Sequence, residues 1–275
     1  MRAVLAASRS RALALGRGLS VPSWTSIVVA VSVAAWLGLL MFMADMDEGP
    51  GTPLGTLPVF VTGWVIMLTA MMLPSELNYV GALAVLLRGR AGTLAWRSRV
   101  MGLFILGYGV AWLAYGLAAF LLDAAIRAIN PEVIVWDRVG PYLAGSVLIL
   151  AGLYQVSSLK HVCLKGCRSP LSFFARYWRD GDLGAIALGT RHGLVCVGCC
   201  WALMAVMFVV GTMSLAWMAL LTLFMFAEKV FPKGQKLALP IACFLWAMGI
   251  WIAMSPETAP LLNHSMIYVS ICHGF

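Results

Sequence analysis

Long apolar stretches separated by short charged segments dominate the chain. A helix rises about 1.5 Å per residue, so about 20 apolar residues span the ~30 Å hydrocarbon core of a bilayer. Membrane-crossing helices are predicted at Ser26–Ala44, Leu57–Leu87, Val100–Leu122, Gly140–Ser158, His192–Val210, Met213–Ala227 and Lys236–Met254. Pro74 lies inside the second of these, where its missing N–H should kink or break the helix. The pattern predicts an all-α, polytopic membrane protein, a bundle of about seven transmembrane helices.

The polar segments divide the chain into three regions. Residues 1–24 carry four arginines and no acid, which suits either an amphipathic helix on an anionic leaflet or a solvated basic tail. Residues 25–254 form the helical bundle, with a cysteine-containing polar loop at 159–191. Residues 255–275 form a tail that contains His264, Cys272 and His273. These three are either a second ligand set or incidental residues of a chain terminus.

Composition and charge support a membrane location. The chain is 62% hydrophobic with a mean hydropathy of +0.92, well outside the range of soluble domains. Its basic excess, 19 residues against 11 acidic, indicates membrane orientation rather than a nucleic-acid partner. A cytoplasmic N-terminus places every Lys and Arg except Arg127 and Arg138 on the cytoplasmic side. This bias predicts a multi-pass protein of a bacterial inner membrane, with the lipid bilayer as its partner and an exterior C-terminus.

Two groups of cysteines fall on the predicted cytoplasmic side. Cys196, Cys199 and Cys200 share about one third of the circumference of a helix, at about 100° per residue. Cys163 and Cys167 lie one helical turn apart in the preceding polar segment. In a reducing compartment such thiols indicate metal ligation or catalysis rather than structural disulfides. The alternative is simple packing, because cysteine is a common small apolar residue of membrane helices.

Further candidate donors lie near these cysteines. His161 precedes the first pair, and Glu228 ends the sixth span at the level of the second group. The alternative to a donor role is that Glu228 is a charge at the membrane interface, at the end of a helix. Four methionines offer thioether sulfurs as further donors: Met204, Met207, Met67 and Met71. Alternatively, these side chains serve as adaptable packing. Thiolates together with thioethers favour a soft or borderline ion, copper ahead of zinc.

Glu76 is an ionisable residue at predicted membrane depth, two residues after Pro74. A charge there costs roughly 2.5 to 3.5 kcal/mol on insertion scales, so such a residue is a functional candidate by default. It could be neutral, pair with a basic residue such as Lys229, or ligate a metal. The alternative to a functional role is that the Glu76 carboxylate extends to the cytoplasmic membrane interface beside Arg88.

Three blocks of sequence carry a family resemblance. They are Trp64–Met67 with Ala70–Ser75, Gly152–Gln155 with Leu159–Lys160 and Cys163–Pro170, and Gly193–Trp201. The last continues through Met204, Gly211, Trp217–Met218 and Glu228–Lys229. These blocks resemble a bacterial family of predicted metal-binding integral membrane proteins, the domain of unknown function 2182. Over about residues 57–230, the resemblance implies a multi-span fold and metal binding.

The sequence therefore predicts a membrane metal-binding protein that holds Cu(I), or alternatively Zn²⁺, at a cytoplasmic-side site. The predicted ligands are Cys163, Cys167, Cys196, Cys199 and Cys200, with His161 or Glu228 completing the shell. Such a protein would act in metal handling or as an accessory factor for a metalloprotein. One alternative is a membrane oxidoreductase whose neighbouring thiols exchange electrons or disulfides. Another is a non-catalytic subunit of a larger membrane complex or homo-oligomer, with small-residue helix faces as docking surfaces.

Overall fold

The structure is a computed structural model that describes residues 24–43, 54–129, 140–210 and 215–255. Within these ranges every regular element is a helix, which confirms the predicted all-α class. The helices are α1 (Trp24–Met43), α2 (Leu57–Met71), α3 (Leu77–Arg88), α4 (Leu94–Ile129), α5 (Gly140–Gln155), α6 (Ser158–Cys167), α7 (Pro170–Tyr177), α8 (Asp182–Val210), α9 (Leu215–Val230) and α10 (Ala238–Met254). Short 3₁₀ helices at Leu73–Glu76 and Gly234–Leu237 lead into α3 and α10.

Several of these helices are long and apolar enough to cross a membrane. Four qualify alone: Trp24–Phe42, α4, α8 and Gly234–Met254. The bent pairs α2 with α3 and α5 with α6 raise the number to six if each pair is one span. The described part of α9 has 16 residues, about 24 Å, which is shorter than the ~30 Å hydrocarbon core. The described residues thus support a helical protein with four to six candidate spans, consistent with a membrane protein.

Helix α8 is the centre of the bundle and packs against α4, α5, α6 and α9. Glycines let α4 and α8 approach backbone to backbone. A methyl group at Gly189 would overlap the carbonyl oxygen of Phe104, and one at Gly107 would overlap that of Ile186. Gly102, on the same helix α4, makes no such contact, because nothing lies within 4 Å of an added Cβ there. Small residues are therefore required at particular positions of this contact rather than along the whole face.

Two backbone breaks shape the interior. At Pro74 the helix axis bends by 45° between α2 and α3, which confirms the predicted kink or break. The Ser75 hydroxyl donates to the Met72 carbonyl at 2.7 Å within the break. The second break separates α5 from α6 and bends the chain by 67°. Its consequence is that α6 turns onto α8 instead of continuing outward.

Some helix boundaries differ from those predicted. The polar segment 159–191 is not an open loop, because α6, α7 and the first turns of α8 occupy it. Helix α8 begins ten residues before the predicted start at His192, and α4 extends beyond Val100–Leu122 at both ends. A span predicted from hydropathy ends at the first charged residues. A helix, however, continues past such residues where their charges remain solvated. Arg191 is an example, because it is exposed and lies within α8. Residues 1–23 and 256–275, with His264, Cys272 and His273, lie outside the described residues.

Candidate metal centre

Three buried thiols meet where the end of α6 lies against α8. The sulfur atoms of Cys167, Cys196 and Cys199 all lie within 4.8 Å of one another. Cys167 Sγ is 3.4 Å from Cys199 Sγ, and the three residues are 5%, 0% and 1% exposed. We call these three residues the thiol cluster. Their burial excludes solvent from any ion that they would hold.

The fold brings the cluster together from two separate helices. On α8, an offset of three residues places Cys196 and Cys199 on one face. The bend after Gln155 redirects the chain, and Ser157 caps α6 by accepting a hydrogen bond from the backbone N–H of Lys160 at 3.2 Å. Helix α6 then packs on α8 with its last residue, Cys167, turned inward.

Two more cysteines lie close by, each in a different setting. Cys200 is buried, and its sulfur is 3.2 Å from that of Cys199. Cys163, one turn before Cys167, is half-buried, and its sulfur lies against α8 at Gly198. His161 is likewise half-buried on α6. Cys163 and His161 both lie outside the three-thiol group, so the structure brings Cys167 rather than Cys163 to Cys196.

A buried lysine links the thiol cluster to the broken helix. Lys229 Nζ donates to Cys196 Sγ, to a carboxylate oxygen of Glu76 and to the Ser75 hydroxyl, each at 2.9 Å. The Tyr108 hydroxyl lies 3.3 Å from the same Glu76 oxygen and 3.2 Å from Cys196 Sγ. Glu76 is 3% exposed. This geometry supports the predicted pairing with Lys229 and contradicts the alternative of a carboxylate at the interface.

His192 holds the other oxygen of Glu76. Its Nε2 hydrogen-bonds to Glu76 Oε2, and its ring stacks on Tyr79 with centroids 3.7 Å apart. The hydroxyl of Tyr79 donates in turn to the backbone carbonyl of Gly166, next to Cys167. The carboxylate therefore has partners on both oxygens, as a buried charge requires.

A second buried ion pair joins α6 to α9. Lys160 Nζ lies 2.7 Å from Glu228 Oε2, and both side chains are 1% exposed. Gln155 completes the group by donating to Glu228 and accepting from Lys160. Glu228 is thus not the interfacial helix-end charge that was one prediction, because its carboxylate is enclosed and both oxygens are engaged. Next to it, Arg168 donates to the backbone carbonyl of Glu228.

The predicted thioether donors are all buried. Met67, Met71, Met204 and Met207 belong to one continuous core cluster that also contains Cys167, Cys196, Cys199 and Cys200. Helical spacing on α2 and α8 accounts for this shared burial.

The sequence pattern does not indicate the roles of Lys160, Gln155 and Tyr108. Gln155 and Lys160 occur in the stretches that carried the family resemblance, but neither has a pattern that predicts its partner. Tyr108 lies between two glycines, Gly107 and Gly109, and nothing in the sequence pattern around it indicates a partner. The available signal was the rarity of lysine and of polar side chains at membrane depth.

Comparison with known proteins identifies the family. The model of a family described as PpoB2, copper chaperone, matches residues 61–252, which include the thiol cluster and both buried ion pairs. No curated protein and no solved structure matches the chain. This match confirms the predicted resemblance to a metal-related family. It does not test the family name, domain of unknown function 2182, which stays a prediction. Because the match extends over more than two thirds of the 275 residues, the chain belongs to the PpoB2 copper chaperone family.

Proposed function

We propose that this protein is a membrane copper chaperone whose cargo is Cu(I), held by the thiolates of the thiol cluster. The observation that carries the proposal is the convergence of three buried sulfur atoms within 4.8 Å, two from α8 and one from α6. Soft thiolate ligands select soft ions such as Cu(I). Membership of a copper chaperone family supports the same metal. The chain's own contribution is to hold these donors together and to exclude water from them.

The surroundings of the cluster favour Cu(I) over Zn²⁺. Structural zinc sites are almost always four-coordinate and tetrahedral. One side of Cys196 is taken by the Lys229 ammonium, which donates hydrogen bonds and has no lone pair for a cation. Glu76 lies 3.6 Å from the same sulfur, but it is already engaged by Lys229 and His192. The site therefore offers sulfur and little oxygen or nitrogen, which suits the softer ion.

Loading of the thiol cluster requires an entrance, a donor that the molecule supplying Cu(I) can reach. Cys163 fills this role, because it is half-buried and its sulfur touches α8 at Gly198, the residue before Cys199. Exchange of ligands from Cys163 to Cys199 would move Cu(I) into the cluster without release into water. His161, also half-buried on α6, offers a nitrogen near the same entrance.

We place this entrance on the cytoplasmic side of a bacterial inner membrane. The arginines and lysines of the connections α3–α4, α6–α8 and α9–α10 belong to the end of the bundle that holds the thiol cluster. The positive-inside rule assigns that end to the cytoplasm. Counting α9 as a crossing makes seven spans, with the N-terminus inside and the C-terminus outside. The recipient of the copper would then be a metalloprotein or complex subunit that docks on this protein.

Metal analysis tests the proposal directly. Protein purified after loading with Cu(I) under reducing conditions should retain copper, whereas Cys199→Ala combined with Cys200→Ala should lose most of it. Cys243→Ala is the matched control, because Cys243 is exposed on α10 and far in sequence from the cluster. Equal copper content in the double variant and the wild type would remove the proposal. Zinc in place of copper would change the cargo but not the site.

The spacing of the thiols also favours a second candidate, a membrane thiol oxidoreductase. Cys199 Sγ lies 3.4 Å from Cys167 Sγ on the neighbouring helix, close enough for oxidation to a disulfide after small movements. Alkylation distinguishes the two functions. Redox thiols should change their labelling under mild oxidant, whereas metal-loaded thiols should resist labelling until a chelator removes the ion.

A further inference from the structure

Tyrosine hydroxyls from three different helices reach the thiol cluster, and each serves a different cysteine. They belong to Tyr79 on α3, Tyr108 on α4 and Tyr154 in the last turn of α5. Tyr108 meets its cysteine directly, because its hydroxyl lies 3.2 Å from Cys196 Sγ. The cluster is therefore held by three helices besides the two that carry its sulfurs.

The hydroxyl of Tyr79 holds the end of α6. It donates to the backbone carbonyl of Gly166, and Cys167 follows directly. A peptide unit is planar and includes the Cα of the next residue, so holding this oxygen also holds the point from which the cysteine side chain starts. The tyrosine ring is itself fixed, since it is 1% exposed and stacks on His192. Tyr79 thus sets the position of the sulfur that α6 contributes.

Tyr154 has the same relation to Cys199 on α8. Its hydroxyl donates to the backbone carbonyl of Gly198, the residue before that cysteine. The carbonyl of Tyr154 accepts from the backbone N–H of Ser157 at 3.0 Å, in the bend before α6. Its ring packs edge-on against Trp201, with centroids 5.0 Å apart. One side chain thus ties the bend that directs α6 to the peptide unit that carries Cys199.

Both of these peptide units lie in the contact between α6 and α8. A Cβ added at Gly166 on α6 would lie 2.9 Å from Val195 Cγ1 on α8. One added at Gly198 on α8 would lie 2.9 Å from Cys163 Sγ on α6. The two tyrosines therefore hold the backbone where these helices touch, one on each side of the contact.

The separation of the two cysteines that follow is too long for a disulfide. Cys167 Sγ and Cys199 Sγ are 3.4 Å apart, whereas the S–S bond of a disulfide is about 2.0 Å long. The sulfurs would have to approach by about 1.4 Å to form that bond. Since Tyr79 and Tyr154 hold the peptide units of both cysteines, their hydrogen bonds oppose this approach.

We propose that Tyr79, Tyr108 and Tyr154 are positioning residues that hold the thiol cluster ready for Cu(I). The two that hold backbone, Tyr79 and Tyr154, also keep their cysteines from closing to a disulfide. The proposal rests on the function proposed above, because Cu(I) is the cargo there. Donors that are already in place lose less freedom when the ion arrives, so the site binds it more tightly. The same restraint directs these neighbouring thiols to metal binding and away from thiol exchange.

Phenylalanine substitution tests each hydroxyl, because it keeps the ring and removes the hydrogen bond. The test variants are Tyr79→Phe, Tyr108→Phe and Tyr154→Phe in the full chain. Tyr115→Phe is the matched control. Its hydroxyl also donates to a backbone carbonyl of α8, that of Trp201 at 2.9 Å, but Trp201 adjoins no cysteine of the thiol cluster. A merely structural role of the hydroxyls would affect the unfolding midpoint of the control and the test variants alike.

The first measurement is Cu(I) affinity, by anaerobic titration in detergent against a chromophoric Cu(I) chelator. The wild type and Tyr115→Phe should bind equally. Each test variant should bind the same number of ions about two- to twelvefold more weakly, the factor that one hydrogen bond contributes. Unchanged affinity in all three test variants would overturn the proposal and leave the thiol site standing. A wild type that binds no Cu(I) would instead overturn the function proposed above.

The second measurement needs no copper. Metal-free protein is treated with diamide, which takes up two electrons and two protons as two thiols join in an S–S bond. Formation of the bond between Cys167 and Cys199 is followed by mass spectrometry of peptides. Tyr79→Phe and Tyr154→Phe should form it about two- to twelvefold faster than the wild type. The other two variants should match the wild type, because neither hydroxyl holds the backbone next to this pair.

The two measurements separate the proposal from the function on which it rests. Equal rates of disulfide formation in all the proteins would refute the restraint, whatever the copper titration shows. If Tyr79→Phe does not fold, Tyr154→Phe decides on both measurements, since its ring is only half-buried. Wild-type copper affinity and wild-type disulfide rate in that variant would leave Tyr154 with a packing role alone and overturn the proposal.

Discussion

Lys229→Met removes a buried ammonium that contacts Glu76, Ser75 and Cys196. The side chains of Lys229 and Glu76 are 2% and 4% exposed, so water cannot replace the lost partner. Removing one member of a buried ion pair costs about 3 to 5 kcal/mol. Here the Glu76 carboxylate keeps its hydrogen bonds to His192 and Tyr108 but loses the counter-charge of the lysine. At about 2 to 4 °C per kcal/mol for a chain of this size, the midpoint of thermal unfolding should fall by about 6 to 20 °C.

Thermal unfolding of metal-free protein in detergent measures this effect. Adding Glu76→Gln to Lys229→Met should recover much of the loss, because the amide carries no charge and still accepts a hydrogen bond from Tyr108. Lys233→Met is the matched control, since Lys233 is exposed and such changes usually stay within about 0.5 kcal/mol. A Lys229→Met protein that unfolds together with this control, with no gain from Glu76→Gln, would refute the reasoning.

Three further changes test the packing, the anchoring and the entrance of the site. Gly189→Ala should destabilise the protein by about 1 to 3 kcal/mol through overlap with Phe104, while Gly102→Ala has free space and should not; equal unfolding midpoints would contradict this. Arg168→Lys cannot keep the guanidinium's contacts with three carbonyls near the end of α9, so the unfolding midpoint and copper retention should fall together. Copper retention at the wild-type level would show that this anchor does not position the cluster. Cys163→Ser should slow Cu(I) loading severalfold in a chelator-transfer assay without changing the final stoichiometry. A lower stoichiometry would make Cys163 a ligand of the stored ion.

Much of the bundle could be predicted from periodicity and hydropathy. The apolar stretches locate the candidate spans, and Pro74 marks the break because it cannot donate within a helix. The common face of Cys196 and Cys199 also follows from local geometry, since an offset of three residues is close to one helical turn. Each of these predictions depends on residues that are near neighbours in the chain.

The choice between Cys163 and Cys167 could not be made in the same way. Both lie on one face of α6, and only the bend after Gln155 and the packing of α6 on α8 decide which sulfur is turned inward. The partners in the buried ion pairs are likewise decided by tertiary packing and not by local sequence. Glu76 meets His192 across 116 residues, and Lys160 meets Glu228 across 68. A single sequence shows that such charges need partners, but it does not show which partners they find.

The break at Pro74 and the ion pair of Glu76 reinforce each other, and their magnitudes show that the bend is a fixed part of the site. A proline inside a continuous helix costs about 3 kcal/mol relative to alanine, and the 3₁₀ turn avoids that cost. Straightening the helix would also move Glu76 relative to Lys229, because the axis bends by 45° at the break. Loss of the pair would add about 3 to 5 kcal/mol to the cost of straightening. Since both terms oppose the straight helix, the carboxylate is held beside the thiol cluster by a local residue two positions earlier and by a lysine 153 residues later.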